Sequence, residues 1–295
     1  MPILTSLANL LKEPHPSHIF ELSEAGIAYS RPAGKEFETG FAPFEPGTLV
    51  ASPTEDNIRR AEVVAAQIAR IAPAQDSRKR RPAALILPDY AARVSVLDFD
   101  SLPEKPDEQL ALVRFRLKKT LPFDIDSAAV SYFVQPSGDG SKEEEPSRKE
   151  VVAVSVALEI IARYEALFRA AAFHPGIVTT SGLAALNLFR GEGPTVIAKL
   201  EGRILTVMAL VDGALKLFRC VEMEDATEED ILGVLQPTFA YMEDELDATG
   251  SRLVLCGFPA GALSEWKASE TLSGSRGAPG PFNSGLLGYL EGARN

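Results

Sequence analysis

The chain has 295 residues, of which 45% are hydrophobic and 24% charged, a globular composition that excludes an intrinsically disordered protein. Against 30 Lys and Arg stand 41 Asp and Glu, a formal net charge of −11, and so acidic a surface repels phosphate backbones; no nucleic-acid partner is expected. No apolar run reaches bilayer-spanning length, and His15, His18 and His174 are too scattered for a zinc site or a catalytic triad.

Leu4, Leu7, Leu10 and Leu11 predict a short amphipathic helix at the start of the chain, and no basic segment precedes a long apolar one, so a secretory signal is not expected. Residues 19–22 and 26–30 read as a hairpin, with a third extended run expected at 48–51. A helix is then expected from Ser52 as N-cap, with Pro53 in the first helical position, Glu55 completing a capping box, and Ile58, Ala61, Ala65, Ile68 and Ile71 at helical spacing. The basic cluster Arg78-Lys79-Arg80-Arg81 reads as a solvated loop, with contact to anionic lipid as the alternative. Residues 83–87 have the short apolar run of a buried parallel strand.

An inserted block follows. Residues 93–98, 128–134 and 151–157 read as strands, and 107–120 as a helix that turns Leu110, Val113 and Leu117 inward. The stretch 137–150, rich in Gly, Ser, Lys and Glu, is expected to be a mobile hairpin tip. A helix at 159–173, a turn at His174-Pro175-Gly176, a strand at 177–180 and a helix at 181–189 lead out of the block.

The order of the first 88 residues then recurs. Residues 195–200, 204–210 and 214–220 predict three strands, the last two joined by the hairpin signal Asp212-Gly213. Thr227 and Asp230 open a helix carrying Ile231, Val234, Leu235, Thr238 and Met242 on one face, and 253–256 reads as a buried strand closed by Gly257. Cys220 and Cys256 sit in apolar strand-like runs and are expected as buried free thiols. Three strands, a helix and a strand, twice over, is the pattern of a duplicated α/β fold of the ribonuclease-H-like type, interrupted by an α+β insert.

Short motifs add a family resemblance. Leu85-Ile86-Leu87-Pro88-Asp89 with Arg93, then Leu121-Pro122-Phe123, the block 164–185, the strand Leu253-Val254-Leu255-Cys256-Gly257 and Gly285-Leu286-Leu287-Gly288 together resemble PilM-like type IV pilus assembly proteins and, more distantly, the FtsA-like members of the actin-like superfamily. The resemblance implies a first half at 1–88 completed by 158–192, an inserted subdomain at 89–157, and a second half at 193–295.

The resemblance also implies where a nucleotide would lie: between the halves, with its phosphates at the first hairpin turn of each. There Glu21 would take the usual acidic place and Ser23 the usual glycine place. In the second half Leu200 would stand where an acid is expected, followed by Gly202, Arg203 and Thr206, with Gly257 on the adenine side. Leu200 cannot serve magnesium, which needs oxygen donors, Glu24 adds like charge, and Arg203 could pair with a phosphate. The site is expected to be degenerate, holding no cofactor or only weakly bound ATP with magnesium.

No P-loop or Gly-x-Ser-x-Gly motif is present. Asp98, Asp100, Asp124 and Asp126 sit at element ends, where capping and solvation account for them, and Trp266 is expected to pack. By resemblance, the expectation is a cytoplasmic, non-enzymatic scaffold for pilus assembly. It would sit at the inner-membrane periphery through its partner and hold the extended tail of a PilN-like membrane protein in a groove lined by 85–88 and 93–98. An ATPase or small-molecule kinase of the same superfamily and a type II secretion cytoplasmic subunit stand as alternatives.

Overall fold

The computed structural model describes residues 16–34, 36–73, 80–136 and 148–293; the expected helix at 4–11 and most of the 137–150 tip lie outside the described residues. In chain order the elements are β1 (His18–Ser23), β2 (Gly26–Ala33), β3 (Glu36–Pro43), α1 (Ala61–Ile71) and β4 (Arg81–Leu87), then β5 (Arg93–Phe99), α2 (Pro106–Leu117), β6 (Ala128–Val134) and β7 (Lys149–Ala157). There follow α3 (Leu158–Ala170), β8 (Phe173–Thr180) and α4 (Ser181–Ala185). The chain continues with β9 (Thr195–Glu201), β10 (Ile204–Val211), β11 (Ala214–Glu222), α5 (Glu228–Asp244), β12 (Arg252–Cys256), β13 (Ser269–Thr271) and α6 (Ser284–Gly292).

Two five-stranded sheets have the same topology, β3-β2-β1-β4-β8 and β11-β10-β9-β12-β13. In each, three antiparallel strands are followed by parallel pairing of the first strand with the fourth and of the fourth with the fifth. The central strands read as near-continuous apolar runs because both faces of each sheet are covered. On the first lobe Phe20, Phe168 and Phe173 meet at centroid distances of 4.9–6.2 Å. α3 turns Ile160, Tyr164 and Phe168 into that core, each worth about 1.5–3 kcal/mol of burial. On the second lobe Leu205, Val207 and Leu253 pack against Leu235 and Met242 of α5, whose expected capping box is made in full by Thr227 and Asp230. Trp266 packs edge-to-face on Phe239 at 5.4 Å.

The insert is a three-stranded antiparallel sheet, β5-β7-β6, with α2 on one face, where Val113 and Leu117 meet Val151 and Ala153. Its far corner is tied to the second lobe: the Gln135 side chain donates to the Leu215 carbonyl at 2.8 Å and accepts from the Leu215 amide at 2.9 Å.

Several expectations are corrected. The third strand of the first sheet is β3, not 48–51; β3 is an edge strand with mostly exposed side chains, so it shows no burial alternation, while Leu49 makes only an isolated bridge to Ile58. The first helix starts at Ala61 rather than after Ser52. Ser52 Oγ does accept from the amides of Thr54 and Glu55, but the Asn57 side chain then donates to the carbonyls of Ser52 and Glu55, which a helix would need for its own ladder. His174-Pro175-Gly176 is no turn: β8 runs through it with a register shift that leaves Gly176 unpaired, and an edge strand tolerates the proline. The 181–189 helix is the single turn α4 followed by a 3-10 turn at Leu186–Leu188. Arg81 opens β4 instead of joining a solvated loop: it donates to the carbonyls of Pro73, Ala72 and Ala171, and its guanidinium lies 4.0 Å over the Phe173 ring. Helix α6, expected with the second half, packs on the first lobe through Leu286, Tyr289 and Leu290, against Ile19 and Ala84 of its sheet and Ala184 of α4.

Candidate functional site

Two hairpins meet at the crevice between the lobes, and each closes with a two-residue turn. Ser23 pairs with Gly26 across Glu24-Ala25, and Glu201 pairs with Ile204 across Gly202-Arg203. Counted back from the turns, Glu21 corresponds to Lys199, Leu22 to Leu200 and Ser23 to Glu201. The parallel neighbours agree, Glu21 lying beside Ile86 at the end of β4 and Lys199 beside Cys256 at the end of β12. The acidic place expected at Leu200 is therefore one residue earlier, at Lys199. Because strand side chains alternate, that one-residue slip exchanges faces, and Leu200 packs with the core of the second lobe.

The crevice-facing side chains bind one another. Lys199 Nζ donates to Asp89 Oδ2 at 3.0 Å and to Glu201 Oε2 at 2.7 Å. Thr206 Oγ1 donates to Asp89 Oδ2 at 3.0 Å, and the Gly182 amide, in the first turn of α4, donates to Asp89 Oδ1 at 2.6 Å. Glu21 accepts from Ser181 Oγ and from the amides of Gly285 and Leu286, the latter two at 3.0 and 2.7 Å in the first turn of α6. A helix start leaves such amides without intrahelical partners and favours negative charge. Glu21, Asp89 and Lys199 are at most 2% exposed, and Glu201 is 8% exposed.

Charges this deep act on one another. Burial raises the Glu21 carboxyl above its ordinary value, with Lys199 opposing. Burial likewise pushes Glu201 up to about 7, again against Lys199. For Lys199 burial alone would favour the neutral amine, but Asp89, Glu201 and Glu21 together hold it well above the usual lysine value, so it is an ammonium ion.

The residues do not fit a magnesium triphosphate. An ammonium stands where a metal would need oxygen donors. Glu21, Asp89 and Glu201 crowd the crevice with buried carboxyl groups, and a carboxylate ~4 Å from a phosphate at an effective dielectric of ~20 costs roughly 4 kcal/mol. The backbone closes on these carboxylates as well: a Cβ added at Gly285 would lie 2.8 Å from Glu21 Oε1, and one at Gly182 would lie 3.0 Å from the Asp89 carboxylate.

Of the expected nucleotide residues, Glu21 and Thr206 enter this cluster. Ser23 closes its own turn through both backbone groups of Gly26, and Glu24, expected near the phosphates, accepts from the Ala51 amide instead. Gly202 and Arg203 form the tip of the second hairpin, where Arg203 pairs with Glu222 at 3.0 Å. Gly257, at φ 75°, lets the chain pass the Leu200 carbonyl, which a Cβ would approach to 2.3 Å. Asp89, Ser181, Lys199 and Glu201 were missed as site residues. The available signal was the pair Lys199 and Glu201 at alternate positions of an otherwise apolar strand.

A second feature lies between the first sheet and the insert: a mainly apolar groove of about 450 Å³. One wall is β8, an edge strand of the first sheet; the other includes β6, an edge strand of the insert sheet; neither edge is paired with a further strand among the described residues. Val154, Phe133, Val178 and Leu183 line it, and Leu215 reaches it from the second lobe. On its wall the hydroxyls of Thr180 and Tyr289 are buried without a hydrogen-bond partner among the described residues. Of the two segments expected to line a groove, only Leu87 does so, because β5 sits at the opposite edge of the insert sheet, and its Val94 and Val96 pack toward Leu215. Among the described residues no group of His, Cys, Asp and Glu is placed to hold a metal, and no helix is long and apolar enough to cross a membrane.

No family model matches the sequence, and no curated protein matches it significantly. Solved structures do match the fold. The PilM-PilN type IV pilus biogenesis complex contains a chain that superposes with a TM-score of 0.65 over 95% of this chain and 99% of that one, at 14% identity. A Bacteroides thetaiotaomicron protein with an actin-like ATPase fold and unknown function gives 0.56 over 95% and 97%, at 12% identity. The cytoplasmic domain of EpsL, an inner-membrane component of the Vibrio cholerae type II secretion system, gives 0.55 over 92% and 94%, at 13% identity. The chain has the actin-like ATPase fold, a duplicated ribonuclease-H-like architecture with an α+β insert.

Proposed function

We propose that this actin-like chain is a non-enzymatic scaffold of a type IV pilus or related secretion assembly, and that it holds the extended cytoplasmic tail of a PilN-like membrane protein in the groove between β8 and β6. The observation that carries this reading is the groove's construction. Two sheet edges that are unpaired among the described residues flank an apolar trough, so an extended segment gains backbone hydrogen bonds from an edge and buries alternate side chains below it. The buried hydroxyls of Thr180 and Tyr289 add polar partners for the segment. A chain that superposes over 95% of this one comes from a complex containing PilN, which supports the choice of partner class. Association with the inner membrane then follows through the partner's own span.

The reading is tested by fluorescence anisotropy with a labelled peptide matching the cytoplasmic tail of a PilN-like protein from the same organism. Saturable micromolar binding is expected. Ser131→Arg, an exposed β6 position on the groove wall, should weaken it at least tenfold, while Phe115→Ala on the exposed face of α2 leaves it unchanged. No binding by the wild type, or equal binding by Ser131→Arg, would refute the assignment.

A further inference from the structure

We infer that the Glu21, Asp89, Lys199 and Glu201 cluster is a built-in clasp that takes over the lobe-bridging position of a nucleotide, so that the chain keeps its lobes closed with no nucleotide bound. The two lobes contribute in turn: Glu21, Asp89, Ser181 and Gly182 from the first, Lys199, Glu201 and Thr206 from the second. The Lys199 ammonium lies between a carboxylate of each lobe, which is the bridging work that magnesium and phosphate oxygens would otherwise do.

The polar groups that could receive an anion are already engaged. The first amides of α6 serve Glu21, and the Gly182 amide and Thr206 hydroxyl serve Asp89. Each of these bonds spans a long stretch of sequence, so none is a local turn. The glycines at 182 and 285 let backbone approach the two carboxylates more closely than any side chain would permit. Leu215 of the second lobe and Val178 of the first both line the groove, so a fixed lobe arrangement also keeps the groove assembled. The clasp stands on its own contacts and does not depend on what occupies that groove.

Calorimetry and thermal melting of the full chain with millimolar Mg-ATP and Mg-ADP test the inference directly. No heat of binding and no change in melting temperature are expected; saturable heat or a rise in melting temperature overturns it. Hydrogen–deuterium exchange on Thr206→Val, which keeps all four charges, supplies the second arm. Exchange should rise in both lobes, at residues 181–184 as well as 199–206, and Lys199→Met should show the same pattern more strongly. A rise confined to the hairpin carrying residue 206 would mean local packing only and would overturn the clasp; should Lys199→Met fail to fold, the Thr206→Val result decides.

Discussion

Asp89 and Lys199 lie 110 residues apart, on different lobes, and their side chains meet at 3.0 Å with almost no exposure. A buried ion pair adds modest net stability when whole, but losing one partner strands the other charge. Here Asp89 also receives the Gly182 amide and the Thr206 hydroxyl, so its lone pairs are committed in three directions.

Asp89→Asn and Lys199→Met should therefore each destabilise the protein by about 3–5 kcal/mol. The double variant should lose less than the sum, because neither charge is then left unpaired. Urea unfolding of the four proteins measures the coupling, and simple additivity would show that the pair does not act as a unit.

Acid and base should act on stability through three buried groups, two carboxyls of one sign and an imidazole of the other. Burial raises Glu201 from 4.5 to about 7, so its contribution is full below 4.5 and is lost as pH rises through about 7. Glu21 is raised by the same cause and acts in the same direction. His18 is lowered from 6.5 to about 4 by burial, with Arg81 and Arg31 adding to it, so its contribution is full above 6.5 and lost as pH falls through about 4. Urea midpoints measured across this range should show Glu201→Gln flattening the decline toward neutral pH and His18→Phe flattening the acid limb. An unchanged profile in Glu201→Gln would contradict the assignment.

Leu200→Asp, which restores an acid at the position first matched to the family motif, should not create a magnesium site. Its side chain enters the core of the second lobe, and the expected outcome is a loss of about 2–3 kcal/mol with no heat on titration with Mg-ATP. Nucleotide binding gained by Leu200→Asp would show that the strand register assigned to β9 is wrong.

Gly288→Ala probes the seam between α6 and α4. A Cβ at 288 would lie 2.1 Å from the Ala184 carbonyl oxygen and 2.7 Å from the Ala185 Cα, both backbone atoms that cannot swing aside. The helices would have to separate, at a cost of about 1–3 kcal/mol, read as a lower melting temperature. Because α6 carries the Gly285 and Leu286 amides to Glu21, exchange of those two amides should rise in the same variant.

Much of the fold could be read along the chain because it rests on local rules. Asp212-Gly213, both at positive φ, closes the β10–β11 hairpin as expected, and Thr227 with Asp230 caps α5. The apolar runs that became β4 and β12 mark the two central parallel strands, and the repeated order of elements announced the duplication. β3 escaped notice because an edge strand buries too little to show a period. The start of α1 was misplaced because a single side chain, Asn57, diverts the carbonyls that Ser52 was expected to commit to a helix.

The site was legible only in part, and the reason is register. Sequence alone supplied two hairpins, an acid at Glu21 and a hydroxyl at Thr206. Whether Leu200 or Lys199 faces the crevice turns on one residue of pairing, which is set by turn length and by the neighbouring parallel strands. Asp89 joins Lys199 only when the lobes close, and α6 returns from the far end of the chain to Glu21 only once the first lobe is assembled, because those contacts are made by residues 110 and 265 positions apart. Local pattern specifies which segments become strands and helices; the charge balance of the crevice exists only once distant segments exclude water together and make burial, not sequence proximity, the dominant energy.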